Sequence, residues 1–103
     1  MSFFKIHHVS NYTCISNKLL KDVRLSNKSI GLMAKILSLP EDWDFSYEGL
    51  ASICKDGIGS IGSSIKELKK YGYIKITPFY QNGRIIDWMY DVYENPEDIN
   101  DSN

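Results

Sequence analysis

The stretch Lys55–Ile74, KDGIGSIGSSIKELKKYGYI, decides how the rest of this chain is read. At about 100° per residue, Ile58, Ile61, Ile65 and Leu68 share one arc, so the pattern predicts an amphipathic helix packed through those side chains. Gly72 stands where such a helix ends in a left-handed residue, and an apolar strand follows it. The opposite arc carries Gly59, Ser60, Ser63, Lys66, Glu67 and Lys70. A merely solvated face would favour Glu, Lys, Gln and Ala over glycine and serine. Small residues let a helix come close to another surface, and hydroxyls and N-terminal N–H groups donate to phosphates and base edges.

Gly57, Gly59 and Gly62 also spell G-x-G-x-x-G, the phosphate-cradling pattern of dinucleotide-binding folds. That pattern requires a strand before the first glycine and an acidic residue at the end of a second strand about twenty positions on. Here a helical pattern precedes Gly57 and no βαβ unit fits behind it, so no cofactor is expected.

Working outward toward the N-terminus, YEGLASIC from Tyr47 to Cys54 reads as a helix capped by Ser46, with Tyr47, Leu50, Ala51 and Cys54 on one stripe. Gly49 inside it suggests a close approach by the next helix. Helix, short glycine turn, helix is the helix-turn-helix pattern. Ser26 caps a preceding helix that runs to about Ser38 before Pro40. Its apolar residues Ile30, Leu32, Met33, Ala34, Ile36, Leu37 and Leu39 cover most of its circumference and mark it as central. Trp43 and Phe45 in the acidic link EDWDF are expected to plug the core edge. Ser16 or Asn17 caps a brief helix, KLLKDV, with Leu19, Leu20 and Val23 inward. Asn11–Ile15 reads as a short strand and residues 1–10 as weakly ordered.

Toward the C-terminus, Tyr73–Phe79 and Arg84–Tyr93 read as a hairpin, with Pro78 implying an edge strand. Ile86, Trp88, Tyr90 and Val92 form one apolar face. A two-residue Asn82-Gly83 turn would set Ile74 and Ile76 opposite Asp91 and Met89. A three-residue loop, Gln81-Asn82-Gly83 with Gly83 left-handed, sets them opposite Tyr90 and Trp88 and is the expected solution. Residues 94–103 read as an acidic, frayed tail.

The 103 residues suit one domain, and 43% apolar content is enough for a core. No apolar run reaches membrane-span length, and MSFFKIHHVS lacks the pattern of a signal peptide, which predicts a cytoplasmic protein. Cys14 and Cys54 form no CxxC pair and are expected to be buried apolar residues. The adjacent His7 and His8 have no partner at ligand spacing, and the acids of EDWDF are assigned to loop charge and helix capping, so no metal is expected. Neither a nucleophile–base pair nor a paired carboxylate in an apolar setting stands out, which speaks against an enzyme or a small-molecule substrate. The net charge of −1 conceals an asymmetry. Up to Ile86, twelve Lys and Arg against seven acids leave +5, and the six acids from Asp87 onward leave −6. A basic body of this kind suits a polyanion partner.

A short strand, three to four helices and a hairpin after the fourth helix make an α+β, winged helix-turn-helix arrangement over residues 11–93. The run LLKDVRLSNKSIGLMAKILSLPEDWDFSYEGLASICKDG, with IKELKKYGYI, NGR and YDVYENP, resembles the N-terminal winged-helix domain of DnaD-like replication proteins of low-GC Gram-positive bacteria, their phages and mobile elements. The resemblance spans about Tyr12–Pro96. It implies a double-stranded DNA-binding domain in replication initiation or replisome organisation, with Ile58–Tyr71 as recognition helix and Gln81–Arg84 as wing tip. The expected contacts are Ser60, Ser63, Lys66 and Lys70 on the helix and Asn82 and Arg84 on the wing. Two other readings remain open. One is a dimerisation or replication-protein interaction module using Tyr80, Tyr93 and the acidic tail; the other is a transcriptional regulator.

Overall fold

The computed structural model describes residues 11–40, 42–43 and 45–96. The tandem histidines and the acidic residues after Pro96 lie outside them, as do Glu41 and Asp44. Serine caps start the first three helices, each through a side-chain oxygen that accepts from a backbone N–H of the first turn. Ser16 opens α1 (Asn17–Leu20), Ser26 opens α2 (Asn27–Leu37) and Ser46 opens α3 (Tyr47–Ser52). The fourth helix, α4 (Ile58–Lys70), begins at Gly57, which has no side chain to cap it. Its C-terminus is closed by a Schellman motif: the Tyr73 N–H donates to Leu68 O at 2.9 Å and the Gly72 N–H to Lys69 O at 3.2 Å. Gly72 has φ +87°, the left-handed backbone that this motif needs.

β1 (Ile74–Gln81) and β2 (Arg84–Val92) then pair as a two-stranded antiparallel sheet, so the described residues are α+β, with four helices followed by a hairpin. The hairpin solves its register differently from the sequence expectation. Asn82 (φ 53°) and Gly83 (φ 78°) form a two-residue turn of type I′, and Gln81 faces Arg84. A bulge then leaves Ile86 as the extra residue of β2, because Tyr80 faces Ile85 while Phe79 faces Asp87. The bulge restores the parity that the tight turn alone would break. Ile74 faces Val92, Ile76 faces Tyr90 and Pro78 faces Trp88, so apolar still meets apolar.

The core gathers Leu19, Leu25, Leu32, Met33, Ile36, Leu50, Ile61, Ile65, Leu68, Tyr73 and Ile74. Each large side chain withdrawn from water in this way contributes about 1.5–3 kcal/mol. Trp43 and Phe45 seal its edge as expected: Phe45 meets Trp43 edge-on at 5.7 Å and stacks on Tyr90 at 5.0 Å. Close approach between α3 and α4 occurs at Gly62, where an added Cβ would touch the Tyr47 ring at 3.6 Å. Gly49 donates its N–H to Ser46 Oγ, the cap of α3.

Several expectations are corrected at the N-terminal end. Residues 11–15 form no strand. The neighbouring chain is held by a side chain instead, with the Ser16 N–H donating to Glu94 Oε1 at 3.2 Å. Of the three residues assigned inward on the first helix, only Leu19 is buried; Leu20 is 45% and Val23 97% exposed. The helix lasts a single turn, and the Asp22 carboxylate accepts the Arg24 N–H in an Asx-turn that throws Val23 outward. Cys14 is exposed and Cys54 half-buried. Among the described residues, no helix is long and apolar enough to cross a membrane.

Candidate nucleic-acid interface

Burial on α4 marks out its two faces. Ile61, Ser64, Ile65 and Leu68 are buried, while Ile58, Gly59, Ser63, Lys66, Lys69 and Lys70 are exposed. Ile58, expected in the core, is 50% exposed because the packed arc is centred on Ile61, Ile65 and Leu68 and Ile58 falls at its margin. Gly59 has open space where a Cβ would stand. Ser60 is half-buried at the edge of the open face.

Glu67, the sole acid of α4, behaves differently from the sequence expectation. Its Oε1 accepts the Ser26 N–H at 2.7 Å, across 41 positions. In a local capping box, the third helical residue would supply this carboxylate; in α2 that residue is Ser29, and α4 supplies it instead. The bond to the Ser26 N–H, and then the Ser29 hydroxyl, hold the Glu67 carboxyl below its ordinary range. The Glu67 carboxylate is thereby tied to α2 at the margin of the open face, near enough to Lys28 to feel its charge, while Lys66 and Lys70 stand exposed beside small residues. Lys28 on α2 reaches the same face, its Nζ 3.4 Å from Ser63 Oγ.

At the C-terminal end of α4, Tyr71 gathers further cations. Arg24 Cζ lies 4.7 Å and Lys70 Nζ 5.3 Å from its ring centroid. Arg24 is oriented by Asp22, whose carboxylate accepts from Arg24 Nε at 2.9 Å and from its terminal nitrogen at 2.7 Å. The Tyr73 hydroxyl donates to the same carboxylate at 2.7 Å. The Asp22 side chain is 8% exposed, and the Arg24 guanidinium, followed by the Tyr73 hydroxyl, holds its carboxyl well below the usual range. Tyr73 is pushed up to about 12, by burial first and by the Asp22 bond second.

A carboxyl lowered in the folded state stabilises the fold above the unfolded value of about 3.9 and loses that contribution as pH falls through it. A phenol raised in the folded state stabilises below about pH 10 and loses its contribution as pH rises toward the folded value. Thermal unfolding across pH should therefore show stability falling below about pH 4 and again above about pH 10. Asp22→Asn should flatten the acid limb, leaving the share that Glu67 contributes.

The wing residues occupy a separate part of the surface. Asn82 and Arg84 are exposed at the hairpin turn. At about 3.3 Å per residue, the tip lies on the order of 20 Å along β1 from Ile74, which follows α4. Thus Ser63, Lys66 and Lys70 share one open face, Ser60 borders it, and Asn82 and Arg84 stand apart from it. Lys69, Arg24 and Lys28 also border that surface and were not among the sequence candidates. Lys69 lies beside the arc assigned to the core, and Arg24 and Lys28 arrive only through tertiary packing. Among the described residues, no group of His, Cys, Asp or Glu could hold a metal ion. Comparisons with protein-family models, with curated proteins and with solved structures find no match for this chain.

Proposed function

We propose that this chain is a winged helix-turn-helix domain that binds double-stranded DNA through α4, as a binding module and not an enzyme. The observation that carries the reading is the open face of α4, on which Lys66 and Lys70 stand exposed beside small residues while its one acid is bonded to the cap of α2. In this reading α4 lies in the major groove. Gly59 permits close approach, Ile58 offers an apolar contact to a thymine methyl, and Ser63 donates to a base edge or phosphate. Lys66 and Lys70 hold the phosphate rim, and Asn82 and Arg84 at the wing tip hold flanking backbone. The resemblance to DnaD-like replication proteins supports a role in replication initiation or replisome organisation of a bacterium, phage or mobile element. A gel-shift selection against random duplexes at low and moderate salt tests the reading. Binding should weaken steeply with salt because phosphate contacts release counterions. Affinity indifferent to salt, or no affinity for any duplex, would reject it.

A second reading, a homodimer or a contact with a replication partner, is favoured by the outer half of the hairpin. Phe79, Tyr80, Ile85, Ile86, Trp88 and Met89 are all between 45% and 59% exposed. Clustered apolar exposure of this kind marks interaction surfaces. Tyr93, expected to be exposed, is half-buried, with its N–H donating to Tyr73 O at 2.8 Å. Sedimentation should show association that rises with concentration and is lost in Trp88→Glu, with an unchanged melting temperature. A monomer at every concentration would remove the dimer.

A further inference from the structure

Beside the open face of α4, a groove of about 280 Å³ runs between α2 and the turn that joins α3 to α4. Lys28 and Lys35 line it from α2, and Lys55 and Asp56 line it from the turn. Three lysines therefore line one groove beside one acidic residue. Its α2 wall carries Gly31, where an added Cβ would meet nothing within 4 Å, so the groove stays open at mid-length. Lys35 is held in place by donating from Nζ to Ile53 O at 2.9 Å, at the end of α3 where helix carbonyls have no partner within the helix. That bond uses one of its three donors. Lys28 touches Ser63 Oγ, so the groove is continuous with the lysine-bearing face of α4.

We infer that this groove seats the phosphodiester backbone of the duplex that α4 addresses, with Lys28, Lys35 and Lys55 as its phosphate-binding groups. The inference rests on the DNA-binding reading and extends it to a second contact made by α2 and the turn. Charge complementarity selects the occupant: a phosphodiester strand is a continuous anion that can span the groove and the α4 face together. An acidic peptide would lack that regular spacing. The cations Lys66 and Lys70 prolong the same positive track.

The test uses the full chain and a fluorescent random-sequence duplex, with affinity read across a salt series. Lys28→Gln combined with Lys55→Gln should lower the slope of log affinity against log salt by about 1.8, since each lost phosphate contact removes about 0.9. At about 0.1 M salt the affinity should fall on the order of tenfold per contact. Lys35 is left unchanged because it also holds α3. Gly31→Leu fills the groove while replacing a weak helix former by a strong one, so it should weaken binding without lowering the melting temperature. An unchanged slope and affinity in both variants, with binding still lost in Lys66→Ala/Lys70→Ala, would overturn the groove and leave the α4 reading standing. A wild-type chain that binds no duplex would remove both. Inorganic phosphate at matched ionic strength should not displace the duplex; selective displacement would assign the groove to a free anion and overturn the proposal.

Discussion

Replacing Lys66 and Lys70 together by glutamate should abolish duplex binding while the domain stays folded. Both side chains are exposed, and neither makes a hydrogen bond or ion pair within the described structure; Lys70 only rests near the Tyr71 ring. Surface substitutions of this kind shift stability by about 0.5 kcal/mol or less. Binding responds on a different scale. Two phosphate contacts contribute about 1.8 to the salt slope, so their loss alone costs on the order of a hundredfold near 0.1 M salt. Reversing the charges adds repulsion from the same phosphates. Fluorescence anisotropy with a labelled duplex reads the binding, and circular dichroism melting reads the fold. Binding lost together with the fold would mean that the lysines serve structure, contrary to their exposure.

Leu50→Ala should cause the largest loss of stability. Leu50 is fully buried and is the one buried residue of α3, a helix of six residues. A helix this short has little stability of its own and is kept by packing. Removing the side chain costs its transfer free energy and leaves a cavity, together about 2–5 kcal/mol. That is a large share of the 5–15 kcal/mol, roughly, that separates folded from unfolded domains. For a domain of this size the melting temperature should fall by about 4–8 °C for each kcal/mol. The loss should also reach binding, because α3 holds α4 through the contact between Tyr47 and Gly62. A shift of only a degree or two would show that α3 is held by something other than Leu50.

How much of this was legible in the sequence depends on whether the signal was local. Ser16, Ser26 and Ser46 as caps, Gly72 as the left-handed stop, and Ile61, Ile65 and Leu68 as the packed stripe follow from positions a few residues apart. That apolar residues would face one another across the hairpin was legible too, although the expected partners, Tyr90 for Ile74 and Trp88 for Ile76, lie two positions from the observed Val92 and Tyr90. The mechanism of that pairing was not, because a bulge at Ile86 changes parity in the same way as a longer loop would. Asn82-Gly83 already favours the tight turn, so the bulge does the shifting. Val23 looked apolar and therefore inward, but the Asx-turn at Asp22 reverses the chain after a single helical turn.

The candidate site divides along the same line. Lys66, Lys70 and Ser63 on one open face could be read from helical spacing. Glu67 could not, because its role is set by Ser26 on another helix. Arg24 enters through Tyr71 and Asp22, which no spacing rule connects to α4.

Amide chemical-shift mapping of the labelled protein with a duplex reads directly whether the open face of α4 meets DNA. Shifts should concentrate at Gly59, Ser63, Lys66 and Lys70, with a second group at Asn82–Arg84, and should fade as salt is raised. Shifts confined to the apolar outer hairpin, or none at any duplex concentration, would contradict that contact.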